Sequence, residues 1–176
     1  WWDQIDWIQR NTTHSSVTIN LGDRSLRIEC ADAVARKRTY AELCERIRSI
    51  SNAQLVAVVN QLSAAAEVSI PDRAPDEYRV ATWDELRSAE SRGARFGAHS
   101  MTHPILSRCD DDQATHEIIG SVQRVRSELK RPSSVFCYPV GCPISFGERE
   151  ISIVKRAGML GALSTSPGTL TQRSVG

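Results

Sequence analysis

Ala94-Arg95-Phe96-Gly97-Ala98-His99-Ser100-Met101-Thr102-His103-Pro104 is the stretch from which the fold is read. Its first five residues make a short buried strand, and the polar residues after it make a loop closed by Pro104. Working outward, Thr82 and Glu85 form a capping box that starts a helix through Ser91, stopped at Gly93. Beyond the loop, Asp110, Asp111 and Asp112 cap a long helix bearing Ile118, Val122, Val125 and Leu129 on one side. Ser134-Val135-Phe136-Cys137 then reads as a strand ending at Tyr138-Pro139. Glu148 to Ala157 reads as a helix with Gly158 beyond it, and Gly161 to Ser164 as a further strand. Helix and strand alternating through short links predict parallel strands covered by helices, an α/β fold.

The first half of the chain has another character. Trp1, Trp2, Ile5, Trp7 and Ile8 suit a short helix with a broad apolar face. Val17 to Leu21 and Ser25 to Glu29 alternate with period two around Gly22-Asp23, a hairpin pattern. Thr39 with Glu42 matches a capping box, predicting a helix over Ala41 to Ile50, and Asn52 to Ala65 carries Leu55, Val58, Val59 and Leu62 at helical spacing. Pro71 to Tyr78 reads as a loop. Residues 1–78 are therefore expected to be a helical and hairpin elaboration of one domain, whose α/β part is 79–176.

Composition narrows the partners. The 176 residues carry 22 basic and 21 acidic side chains for a net charge of +1, which gives no support for nucleic acid or an acidic membrane surface. No apolar run reaches the length of a transmembrane segment. Five cysteines without paired-ligand spacing argue against a disulfide scaffold and a zinc ribbon, leaving buried or incidental thiols. The chain opens on Trp1-Trp2-Asp3 with no basic leader, so no signal peptide is visible and a cytoplasmic location is the expectation. Such an opening also suggests a cut within a longer chain. Arg36-Lys37-Arg38 reads as a solvated loop, and His14 and His116 as solvated surface residues.

The chemistry lies in His99 and His103. Two imidazoles three residues apart can converge on one ion if the loop curls, and Pro104 helps hold such a curl. By itself an H-x-x-x-H pair also reads as two polar loop residues. Its position beyond a strand end, beside a proline and before a capped helix, favours a metal site.

Here the sequence resembles the polysaccharide deacetylases of carbohydrate esterase family 4. Phe96 to Pro104 is similar to that family's H-[ST]-x-x-H-P motif, and Phe136-Cys137-Tyr138-Pro139-Val140-Gly141 to its F-A-Y-P-Y-G motif. Thr82 to Leu86 resembles the helix that precedes the histidine strand, and the likeness runs from about Ala81 to Gly168. The resemblance implies a distorted or incomplete (β/α) barrel with an N-terminal helical and hairpin insertion. It implies a divalent metal, most simply zinc, on His99 and His103. It implies an oxyanion-hole donor in the Val140 backbone amide, a sugar-site wall at Tyr138 and Pro139, and an acetylated carbohydrate as substrate.

The pattern also departs from the family. The T-F-D-D-G motif that supplies a third ligand and a base is absent, and no histidine follows His116 to act as the late general acid. Asp3 and Asp6 sit among tryptophans and are given no catalytic role. Cys137 and Val140 replace the commoner residues of the third motif, a change that a backbone donor tolerates. The expected activity is therefore removal of N- or O-acetyl groups by a domain completed by flanking segments, weak or lacking in this chain alone. The alternative is a non-catalytic carbohydrate-binding or assembly module of the same fold.

Overall fold

Apolar residues on three helices and one face of a hairpin build the first of two units. A computed structural model describes residues 1–22, 24–47 and 50–167. Cα packing divides the chain into Trp1–Val80 and Ala81–Gly176. In the first unit the order is α1 (Trp2–Asn11), β1 (Ser16–Leu21), β2 (Arg24–Glu29), α2 (Ala33–Ile47) and α3 (Asn52–Ala65). The strands pair antiparallel with Val17 opposite Ile28 and Ile19 opposite Leu26. Because side chains alternate across a strand, those four share one face. They are buried with Ile5, Ile8, Leu43, Ile47, Val58 and Leu62 from the helices. Gly22 takes the left-handed conformation that the turn requires (φ 61°), while Asp23, its predicted companion, lies outside the described residues.

The predicted helix start at Thr39 is wrong. Helix α2 begins six residues earlier, where the Asp32 carboxylate accepts from the Val34 and Ala35 amides. Thr39 is buried inside the helix, and its hydroxyl donates back toward the Ala35 carbonyl at 3.1 Å. The basic run Arg36-Lys37-Arg38 consequently lies on a helix, not in a loop. Ile50, the predicted end, is a bend and not helical; α2 is described to Ile47, and Arg48 and Ser49 lie outside the described residues. Helix α3 matches its predicted bounds, and a Ser51–Gln54 capping box fixes its start.

The second unit runs α4 (Trp83–Ser91), α5 (Asp111–Thr115), a π-helical turn (His116–Gly120), α6 (Ser121–Glu128), β3 (Val135–Cys137), α7 (Glu148–Arg156) and β4 (Gly161–Leu163). The capping box of Thr82 and Glu85 is present, and Asp110 caps α5 through the Gln113 amide at 2.7 Å. Strands β3 and β4 pair in parallel, with Phe136 opposite Ala162. The core joins Leu106, Ala114, Ile118 and Val122 to Phe136, Tyr138, Ile153 and Val154. Buried Glu90 of α4 accepts from the Lys130 and Arg131 amides and so fastens the chain between α6 and β3. Arg126 donates to the carbonyls of Ala157 and Gly158, closing the end of α7.

One expectation about the sheet needs correction. Residues 94–98 form no ladder, and only Ala98 among them is buried. The Ser133 amide donates to Phe96 and the Cys137 amide to Ala98, so four residues of one segment oppose two of the other and no regular register results. The α/β class stands, but the described residues hold two paired parallel strands and no closed barrel. The close approach explains Gly97: a Cβ there would sit 2.7 Å from the Val135 carbonyl oxygen. Gly97→Ala is expected to destabilise this unit by about 1–3 kcal/mol, as overpacking does, read as a lower thermal midpoint. An unchanged midpoint would show that β3 yields freely there.

Candidate functional site

The two histidines stand on a loop whose backbone is strained at both ends. Ser100 has φ 66° and His103 φ 60°, the left-handed region that L-residues avoid. Such residues persist where the surroundings over-determine them, and they gather at functional sites. The curl turns the His103 amide back onto the Ser100 hydroxyl, to which it donates at 3.0 Å. Pro104 is buried behind it, and Ile105 and Leu106 anchor the chain in the core at 2% and 0% exposure.

This bend brings the imidazoles together, with ring centroids 4.9 Å apart and planes at 71°. His99 is exposed, and its Nδ1 lies 2.8 Å from the Cys137 carbonyl oxygen. A carbonyl only accepts, so Nδ1 carries the proton and the neutral ring keeps its lone pair on Nε2. That contact is the usual support for a histidine that ligates through its other nitrogen. His103 is half-buried, and burial, then the nearby His99, lowers its pKa below the ordinary imidazole value. Both effects favour the neutral, metal-binding form. Among the described residues no cluster of three or more His, Cys, Asp or Glu side chains is placed to hold an ion. The pair thus fits the two-nitrogen share of a zinc site and nothing more.

The residue that sequence reasoning missed is Glu117, on the π-helical turn. The residue is 3% exposed, and its carboxylate accepts from the Met101 amide at 2.8 Å, the Thr102 amide at 2.9 Å and the Thr102 hydroxyl at 2.5 Å. A signal existed in the spacing of Ala114, Glu117 and Ser121, which puts an acid on the buried helix face.

The third-motif residues span the end of β3 and the turn that follows it. Tyr138 is 4% exposed, stacked on Phe146 at 3.9 Å and edge-on to Phe136 at 5.4 Å. Burial, with the Glu150 carboxylate adding to it, pushes the Tyr138 hydroxyl up to about 12. Pro139 is buried, and its carbonyl accepts from the Gly141 amide at 2.6 Å. Val140 sits at the apex of this tight turn with φ 62°. Its carbonyl accepts from the Thr165 hydroxyl, and among the described residues its amide meets no backbone acceptor. Gly141 has φ 67°, and a Cβ on it would approach the Thr165 amide nitrogen to 2.9 Å.

Beside His99 an open cleft of about 270 Å³ is lined by Trp83, Ser100, Met101, Ser121 and Arg124. The Arg124 guanidinium lies over the Trp83 ring at 5.6 Å and also pairs with Glu128. A larger cavity of about 600 Å³ lies in the first unit among Asp3, Asp6, Arg10, Arg36 and Lys37. It has no histidine, and an Asp6–Arg10 ion pair accounts for part of its charge. The first unit's cavity therefore does not compete with the histidine loop as a metal site.

Comparison with known proteins adds one finding. A family model described as polysaccharide deacetylase matches residues 48–162, more than half of the chain. The match begins well before Ala81 and takes in helix α3 as well as both motifs. No curated protein and no solved structure gives a significant match.

Proposed function

We propose, from the premise that this chain belongs to the polysaccharide deacetylase family, that it carries the histidine loop of a metal-dependent hydrolase acting on acetylated carbohydrate. The observation that supports this most is the pairing of His99 with His103 at 4.9 Å, with the His99 Nδ1 engaged by Cys137. On this reading residues 1–78 elaborate the same domain, and segments flanking this chain complete the site.

His99 and His103 would hold a divalent ion, most simply zinc, which when bound acidifies water and polarises an acetyl carbonyl. The chain's own residues do the rest of what can be assigned. The Cys137 carbonyl keeps His99 in one tautomer and one orientation. The Val140 amide, held at a tight turn, donates a hydrogen bond to the acetyl oxygen as negative charge gathers there. A preformed donor needs no reorganisation at that moment, which is the use of a strained turn. Tyr138, packed between Phe136 and Phe146, and Pro139 are buried directly behind that donor and brace the turn that presents it. Release of an N-acetyl or O-acetyl group follows from the same arrangement, since both leave an acyl oxygen to be stabilised.

The donor set of two nitrogens favours a second reading, a carbohydrate-binding or assembly module without catalysis. Acetate release from an N-acetylated glucosamine oligomer separates the two. With zinc or cobalt(II) supplied, the chain alone is expected to release acetate slowly at most, and a chelator should abolish whatever is seen. Fast release that a chelator leaves untouched would overturn the metal-dependent reading. Sugar binding with no acetate at any metal concentration would favour the module.

A further inference from the structure

We propose that Glu117 is a positioning residue, whose carboxylate fixes the relative pose of the His99 and His103 rings by holding the loop between them. This rests on the proposed function only in naming the rings as ligands. Three residues separate the two histidines, and Glu117 accepts hydrogen bonds from the amides of two of them, Met101 and Thr102. The hydroxyl of Thr102 donates to its second oxygen. Every donor that the structure shows on this buried carboxylate therefore comes from the histidine loop. A charged acceptor out of water makes strong hydrogen bonds, and leaving it short of donors is costly. The loop's left-handed residues, Ser100 and His103, lie just outside the two amides it grips. A backbone held in such conformations needs an external restraint, and this carboxylate supplies one.

Its own placement is unusual. The helix from Asp111 to Glu128 is interrupted by the π-helical turn His116–Gly120. Such turns admit an extra residue into a helix and are frequent at functional sites. Here the turn buries Glu117 and Ile118 side by side, the acid under the loop and the isoleucine in the core. The same interruption therefore serves packing and site geometry together.

The test compares Glu117→Gln, Glu117→Asp and Thr102→Val with the unaltered chain, and with Ile153→Val as a destabilised core control. Three properties are read: exchange of the Met101 and Thr102 amides, the ring resonances of His99 and His103 without metal, and cobalt(II) affinity. E117Q is expected to exchange both amides at least tenfold faster and to shift or broaden both ring resonances. Cobalt(II) affinity should fall about 10–100-fold, the usual effect of losing a residue that supports metal ligands. E117D should recover part of this, T102V should show a smaller change of the same kind, and Ile153→Val none. Unmoved ring resonances in folded E117Q and T102V would overturn the proposal. If E117Q does not fold, T102V decides it alone. If the unaltered chain takes up no cobalt(II) while the rings still respond to E117Q, the positioning role stands and the metal reading falls.

Discussion

Replacing Phe136 with alanine should destabilise the second unit by about 3–5 kcal/mol, a large part of the roughly 5–15 kcal/mol that holds a domain together. Phe136 is fully buried on β3, opposite Ala162 of β4, with its ring edge-on to Tyr138. Alanine would remove the largest fully buried side chain of this core and leave a cavity among Leu106, Ile118, Val122, Ile153 and Val154. Tyr138 stacks on Phe146 in turn, so the loss spreads to the turn carrying Val140. A domain of this size loses about 4–8 °C of thermal midpoint per kcal/mol, so a fall of more than about 10 °C is expected. Phe136→Leu keeps most of the volume and should cost far less. A fall of only two or three degrees for the alanine variant would mean that β3 is not where this unit is held.

The elements legible in the sequence were those whose determinants lie within a few residues of each other. Thr82 with Glu85 and Asp110 with Gln113 act inside a single helical turn, and both caps are present. The hairpin was legible for the same reason, since alternation fixes which face is buried. Thr39 and Glu42 carry the same local pattern and mislead, because Asp32 has already started the helix seven residues earlier. What decides Thr39 is distant: the carbonyl of Glu29 and the side chain of Gln9 both bond its hydroxyl. Spacing alone cannot separate a cap from a mid-helix threonine that bonds backward.

The site divides along the same line. His99 and His103 were legible because one short loop carries both, and the structure brings their rings together. The tautomer of His99 was not, since it depends on a carbonyl 38 residues away. Glu117 was hidden likewise, its partners being two amides and a hydroxyl reached across 15 or 16 residues. Apolar character around Phe96 predicts a strand, but a strand is defined by pairing, and the segment fails to match the spacing of donors on the chain at Ser133 and Cys137. The positive φ values of Ser100, His103 and Val140 also leave no trace in residue type, because none of them is glycine.

Removing both imidazoles should weaken cobalt(II) or zinc binding by more than about 100-fold, because ligation supplies nearly all of the free energy of such a site. With His99→Ala and His103→Ala together, metal retained after gel filtration should drop to background. The single variants should each lose most of the affinity, since one imidazole and water cannot hold an ion well. Equal metal content in the unaltered and doubly altered chains would remove the site. The metal-free protein offers an independent check through His103, whose folded pKa is lowered from 6.5, chiefly by burial. Above 6.5 both folded and unfolded chains leave this ring neutral, and it adds no pH dependence. As pH falls below that value the unfolded chain takes up a proton that the folded chain resists, so folding stability declines. His103→Ala should flatten that decline in urea unfolding midpoints as the pH is taken below 6.5. If the decline instead survives the substitution, the ring is not the group whose burial shapes this loop. Loss of metal and loss of the acid-side slope in the same variant would then trace to one half-buried imidazole, held beside a second by a single bend of the chain.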